Sequence, residues 1–165
     1  MEISVGDWLF DVNLPLNMEI SAAQAKDHCM CGYCRNFYAA VDETYPSMRS
    51  FLSLFGVDIE GPDELSPFEP TIYEASYIVN GEILTKGHTE IRVDDIPVAV
   101  LPSESADMDT ERPEPYFVII IGLMELPWLL EEDPKDVISP ANEEQYLRRM
   151  QQKILIRLQN TAPSS

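Results

Sequence analysis

The chain has 165 residues, of which 45% are hydrophobic, and it carries a formal charge of −18 with a pI near 4.2. This length and apolar content predict one domain with its own core over residues 1–160, followed by a flexible tail over residues 161–165. The negative charge excludes direct binding to nucleic acids and to anionic membrane surfaces, because like charges repel at long range.

The sequence also contains signals that bear on its location. The N-terminus lacks the cationic and apolar regions of a signal peptide. The longest apolar run, Phe117–Met124, is much shorter than the roughly 18 residues of a membrane-spanning helix. The three cysteines are an odd number, which argues against a disulfide framework. We therefore predict a cytoplasmic protein with reduced thiols.

The first third of the chain is predicted to form two strands and then helices. Residues 2–14 alternate apolar and polar side chains around Gly6-Asp7, which predicts two short strands or one bulged strand. Ser21 is a typical N-cap and predicts a short helix that ends near the cysteines. A second helix is predicted from Cys34 to Pro46, where a third begins, and Gly56 ends the third.

The middle of the chain predicts a sheet. After a connection rich in proline and glycine, the hydrophobic period changes to two. Asn80-Gly81 favours a type I′ turn and predicts a hairpin from Tyr73 to Thr85, which residues 89–101 extend into a meander. The uniformly apolar run Phe117–Met124 is typical of a central strand buried on both faces.

The end of the chain predicts an amphipathic helix over residues 143–159. Its apolar stripe consists of Leu147, Met150, Ile154 and Leu158, and its basic residues are Arg148, Arg149, Lys153 and Arg157. We expect this helix to dock on the acidic remainder of the chain, or alternatively on another subunit or protein. The element order predicts an α+β fold, in which N-terminal helices pack on an antiparallel β-meander and an amphipathic helix ends the chain.

The segment KDHCMCGYCRNFY, residues 26–38, contains every cysteine and one of the two histidines. Its candidate zinc ligands are His28, Cys29, Cys31 and Cys34. Structural zinc sites usually combine two separated ligand pairs, and no second pair is present. On a continuous helix Cys29 would point away from the other three ligands, although Gly32 would permit a turn instead.

The tetrad CGYC resembles the active site of disulfide isomerases of the thioredoxin superfamily. That resemblance implies Cys31 as the nucleophile, its pKa lowered by a helix that begins there, and Cys34 as the resolving thiol. The thioredoxin motif follows a β-strand, however, whereas the residues before these cysteines predict a helix. We favour a third interpretation, in which Cys31 and Cys34 are reduced, largely buried and metal-free beside Phe37 and Tyr38.

The segments HCMCGYCRNFYAA, FGVDIEGPDEL and YEASYIVNGEI resemble a family of small uncharacterised bacterial proteins marked by Cys-x-x-Cys-Arg-Asn-Phe. The resemblance covers about the middle half of the chain and is most specific at Cys31, Cys34, Asn36 and Phe37. It implies a domain of unknown function and transfers no catalytic residue. It does make Arg35 and Asn36 candidate contact residues.

The sequence lacks a nucleophile elbow, a phosphate-binding loop, a dinucleotide fingerprint and a zinc-protease helix. We therefore predict a non-enzymatic, strongly acidic interaction module that binds a protein partner or a second copy of itself and needs no cofactor. Its candidate contacts are Arg35, Asn36 and the basic residues of the predicted C-terminal helix. The alternative is a thiol- or zinc-dependent enzyme or sensor that uses Cys31 and Cys34.

Overall fold

The computed structural model of the protein describes residues 1–27, 29–69 and 71–134. Within these residues, seven strands form one antiparallel sheet and three α-helices pack against it. The strands are β1 (Glu2–Val5), β2 (Trp8–Val12), β3 (Glu64–Glu69), β4 (Ile72–Thr85), β5 (Ile91–Val93), β6 (Ile96–Pro102) and β7 (Tyr116–Glu125). The helices are α1 (Leu14–Gln24), α2 (Gly32–Thr44) and α3 (Pro46–Ser53). The predicted α+β class is confirmed, whereas the predicted C-terminal helix and tail lie outside the described residues.

The strand order is β1-β2-β4-β7-β6-β5, and β3 pairs with the first part of β4. The last described strand, β7, therefore lies between β4 and β6, and the sheet is not the sequential meander that the sequence predicts. The apolar composition of β7, and not its place in chain order, explains this central position. A central position gives such a strand neighbours on both sides and cover on both faces.

The hairpin predicted at Asn80-Gly81 is wrong, because β4 continues unbroken from Ile72 to Thr85. Asn80 is buried, and its backbone N–H donates to Oδ1 of Asn17 at 2.8 Å. Gly81 has φ +148°, and a Cβ at this position would overlap the carbonyl oxygen of Asp11 on β2. Glycine is needed here because the backbone of the paired strand β2 comes too close to leave room for a Cβ.

The two-residue turn with positive φ lies instead between β5 and β6. Asp94 and Asp95 have φ +50° and +63°, and the flanking Val93 and Ile96 are paired across the hairpin. Positive φ at both central residues is typical of a type I′ turn, and aspartate tolerates it better than most residues.

The helices follow the sequence prediction except at the start of α1. Oδ1 of Asn13 accepts the N–H of Leu16 at 3.3 Å, and a proline lies in the first turn, so α1 begins well before the predicted cap at Ser21. Ser21 lies inside α1, where its hydroxyl donates to the carbonyl of Gly56 at 3.3 Å. The two later helices are confirmed, and none of the described helices is long and apolar enough to cross a membrane.

The main core fills the space between the helices and one face of the sheet. Its largest fully buried side chains include Phe10, Phe37, Met48, Leu52, Phe55, Tyr73, Tyr77 and Phe117. A smaller cluster on the opposite face of the sheet consists of Ile78, Ala99, Leu101, Val118 and Ile120. Ala106 and Met108, from the charged segment before β7, pack against this smaller cluster. The prediction that β7 is buried on both faces is therefore confirmed.

Candidate metal centre

The three cysteines meet where the chain turns from α1 into α2. Because α1 ends at Gln24 and α2 begins at Gly32, no continuous helix holds the cysteines apart. The sulfur atoms of Cys29, Cys31 and Cys34 all lie within 4.8 Å of one another. The geometric objection to including Cys29 therefore does not hold, and we refer to these three residues as the thiol cluster.

The exposure of the thiol cluster differs from the sequence prediction. All three cysteines are free; Cys29 and Cys31 are exposed, and Cys34 is half-buried. The prediction that Cys31 is largely buried is wrong because Cys31 is the N-cap of α2, with an extended backbone (φ −64°, ψ 161°) outside the helix. Phe37, one turn after Cys34 on α2, is the fully buried side chain of this segment.

The positions of Cys31 and Cys34 at the start of α2 shift their pKa values in opposite directions. The sulfur of Cys31 accepts the backbone N–H of Cys34 at 3.5 Å. A hydrogen bond from the Cys34 thiol, supported by backbone N–H groups, lowers the pKa of Cys31 to about 5. The same side-chain hydrogen bond and burial raise the pKa of Cys34. At neutral pH the cluster therefore holds a thiolate on Cys31 and a proton on Cys34.

Arg35 connects the cysteine loop, residues 29–31, to a distant part of the chain. Its Nε donates to the carbonyl of Met30 at 2.9 Å. Its two terminal nitrogens donate to the two carboxylate oxygens of Glu132 at 2.9 and 2.7 Å. Sequence reasoning missed Glu132, because it lies among other acidic residues and 97 positions from Arg35.

Asn36 lies in the protein interior. The side chain is fully buried, and its nitrogen donates to the carbonyl of Pro127 at 3.1 Å and to the hydroxyl of Tyr73 at 3.3 Å. Its oxygen accepts the backbone N–H of Leu129 at 2.7 Å. The Asn36 amide therefore fixes residues 127–129 on α2, and it is not presented to a partner.

A groove of about 640 Å³ opens beside the thiol cluster. Cys29 and Cys34 line one part of it, next to Tyr38, and the end of α1 and residues 60–65 line the remainder. Burial raises the pKa of Tyr38, and the charge of Cys34 and a hydrogen bond with Cys34 raise it further. The acidic residues that line the groove are Asp27, Glu60, Asp63 and Glu64. The groove gives a small ion or molecule access to two of the three sulfurs.

The remaining predicted site residues fall on positions that the structure does not describe. His28 lies outside the described residues, as do Arg148, Arg149, Lys153 and Arg157. Comparisons of the chain with protein-family models, with curated proteins and with solved structures find no match in any of the three. The resemblance to the Cys-x-x-Cys-Arg-Asn-Phe family stays a prediction.

Proposed function

We propose that the thiol cluster is a metal centre that binds one zinc-like divalent ion through Cys29, Cys31 and Cys34. The observation that carries the proposal is the convergence of three sulfurs within 4.8 Å. Zinc–sulfur bonds of about 2.3 Å in a tetrahedral shell place sulfurs about 3.8 Å apart. A small closure of the cysteine loop is enough to reach that spacing.

The surroundings of the cluster favour its thiolate form. Metal binding requires deprotonated cysteines, and the low pKa of Cys31 supplies the first thiolate at neutral pH. The N–H of Cys34 already donates to the Cys31 sulfur, as outer-shell donors do in metal–thiolate sites. Binding then releases the proton held by Cys34, and we expect metal affinity to rise with pH.

We propose that water, or a small ligand that enters through the groove, takes the fourth coordination position of the ion. Three protein ligands with one exchangeable position are typical of catalytic or regulatory zinc sites, whereas structural sites are closed. We therefore propose a metal-dependent or metal-responsive domain.

Cobalt(II) substitution tests the proposal, since cobalt–thiolate bonds absorb light and zinc displaces cobalt. We expect one equivalent of cobalt per chain, a sulfur-to-cobalt charge-transfer band, and a weaker band with lower cobalt affinity in Cys31→Ser. The control variant Glu60→Gln removes a carboxylate from the groove and keeps all three thiols; it should bind cobalt as the parent does. A wild-type protein without the thiolate band would contradict the proposal.

A dithiol redox function is the second candidate. An exposed thiolate at Cys31 beside a half-buried, protonated Cys34 supports it. The Cys31 thiolate would attack a substrate disulfide and release one substrate thiolate. Cys34 would then lose its proton and attack the mixed disulfide, which forms the Cys31–Cys34 disulfide and releases the second thiolate. Disulfide reduction by the metal-free protein, with no cobalt band, would favour this candidate.

The acidic interaction module predicted from composition is supported by the net charge of −18 alone. Among the described residues, the contact candidates Arg35 and Asn36 are bonded within the chain. The basic candidates of the predicted C-terminal helix lie outside the described residues. We therefore rank the module below the two thiol-based functions.

A further inference from the structure

We propose that the Arg35–Glu132 ion pair positions the cysteine loop for metal binding, and that it couples metal uptake to the docking of residues 126–132. We call residues 126–132 the strap. This inference rests on the proposed function, because it assigns the residues that hold the metal centre in shape. Arg35 and Glu132 are positioning residues and do not touch the metal.

The cysteine loop depends on Arg35 for its shape. Met30 separates Cys29 from Cys31, and its side chain is 66% exposed, so packing does not fix it. The Met30 carbonyl is instead held by Nε of Arg35 at 2.9 Å. Because Arg35 directly follows Cys34 on α2, this bond ties the loop that carries two sulfurs to the helix that carries the third.

The strap completes the arrangement from the other side. The Glu132 carboxylate accepts both terminal nitrogens of Arg35, and the Glu132 carbonyl accepts Nε1 of Trp128 at 2.7 Å. The Trp128 ring meets Tyr33 edge to face, with centroids 6.2 Å apart. Tyr33 lies between two cysteines in the first turn of α2. Loop, helix start and strap therefore form one closed set of contacts.

The ion pair fits a geometric role better than a stabilising one. The side chains of Arg35 and Glu132 are 32% and 51% exposed, and exposed ion pairs contribute little to stability. A bidentate arginine–carboxylate pair does fix the orientation of the guanidinium, and with it the direction of Nε. By reciprocity, a metal that favours the ordered loop also favours the docked strap.

The variant Glu132→Gln tests the inference, with Asp42→Asn as the matched control. Asp42 also forms a bidentate pair with an arginine: Arg49 donates two hydrogen bonds to its carboxylate, at 2.8 and 2.6 Å. The side chains of Asp42 and Arg49 are 44% and 42% exposed. We expect Glu132→Gln to weaken cobalt affinity about 10- to 100-fold and to change the cobalt–thiolate spectrum, as loss of an outer-shell partner does. Asp42→Asn should change neither. Melting temperatures of both variants show whether either loss reflects unfolding.

Hydrogen–deuterium exchange gives a readout that does not need metal. In the metal-free protein, Glu132→Gln should exchange faster than Asp42→Asn in both the cysteine loop and the strap. If the melting temperature of Glu132→Gln is far below that of Asp42→Asn, Arg35→Lys is used instead. Lysine keeps the positive charge but cannot form the bidentate hydrogen bonds of the guanidinium.

Equal cobalt affinity and equal exchange in the two variants would overturn the inference. A wild-type protein that binds no cobalt would overturn the proposed function instead. The exchange data would then still decide whether the pair holds the loop.

Discussion

Cys31 shows how one position at a helix start sets the reactivity of a side chain. As the N-cap of α2 it is exposed, and its sulfur accepts hydrogen bonds from Cys34. Cys34 lies one turn into the helix, is half-buried, and keeps its proton. The two thiols of one Cys-x-x-Cys motif therefore differ in both access and charge.

We predict that alkylation of Cys31 in the metal-free protein follows an unusually low pKa. Only the thiolate reacts, so the rate with iodoacetamide should rise with a midpoint near pH 5 and level off above it. An ordinary thiol would still gain reactivity near pH 8.5. Mass spectrometry of the alkylated peptides between pH 4 and pH 9 measures this.

The variant Cys34→Ala provides the control for that experiment. It removes the thiol whose hydrogen bond is the largest cause of the lowered pKa, so the Cys31 midpoint should move upward. A wild-type midpoint above pH 7 would contradict the assignment of the thiolate to Cys31.

The sequence predicts part of this site and cannot predict the rest. CGYC is a local signal for a helix start, and the structure places Cys31 at the N-cap of α2. The inclusion of Cys29 depends on where α1 ends, and the partner of Arg35 is 97 residues away. Long-range contacts of this kind follow from the fold and leave no mark in the local pattern.

At the scale of secondary structure, the contrast between two turn signals is instructive. Asn80-Gly81 matches the preferred residues of a type I′ turn, yet it lies in a continuous strand. Asp94-Asp95 is a poorer match and forms the turn. The difference is tertiary: β2 pairs with β4 at Gly81, and Asn80 is held by Asn17 of α1. Local propensity is overridden where a strand has partners on both sides.

We predict that Gly81→Ala strongly destabilises the protein. A Cβ at φ +148° would overlap the Asp11 carbonyl oxygen of the neighbouring strand, so β2 must move or the backbone must distort. We expect a loss of at least about 2 kcal/mol in the free energy of unfolding, measured by urea denaturation. Gly6→Ala is the control, since Gly6 also has positive φ (+56°) but has open space around it. Equal losses in the two variants would show that the close approach of β2 to Gly81 does not matter for stability.

Arg112 joins the segment before β7 to strand β4 and to Asp63. Its Nε donates to Oδ1 of Asn80 at 3.0 Å, and a terminal nitrogen donates to the carbonyl of Ile78, also at 3.0 Å. Another terminal nitrogen lies 3.4 Å from Asp63, and both side chains in this ion pair are only 11% exposed. Burial raises the pKa of Asp63 and lowers that of Arg112.

We predict that Arg112→Met costs about 3–5 kcal/mol at pH 7, because it leaves the buried Asp63 carboxylate without its cation. The pKa of Asp63 then rises further, and protonation in the folded state removes the cost of keeping a desolvated charge without its cation. The loss in stability should therefore shrink as the pH falls from 7 to 5. The control Arg92→Met breaks an exposed pair with Glu90, whose side chains are 51% and 52% exposed, and should cost less than about 1 kcal/mol. A loss for Arg112→Met that grows on acidification would contradict this account.

For the whole molecule, the balance of charge outweighs any single ion pair. The chain has 29 acidic residues and 11 lysines and arginines, so most carboxylates have no cation to pair with. The described arginines are already engaged; Arg49 alone faces Asp42, Asp58 and Glu60. Folding brings the surplus carboxylates close together, and their mutual repulsion opposes the compact state.

We predict that sodium chloride stabilises this protein. Raising the salt from about 0.01 M to about 1 M shortens the Debye length from about 30 Å to about 3 Å, which screens repulsion between exposed carboxylates. The same salt weakens the exposed ion pairs, but each of these contributes only about 0–1 kcal/mol and the surplus of acidic residues is larger. The melting temperature at pH 7 should therefore rise with salt. The effect should fade as the pH approaches the pI of 4.2, where the net charge vanishes. A melting temperature that falls with salt at pH 7 would mean that the ion pairs, and not the carboxylate surplus, dominate the electrostatics of the fold.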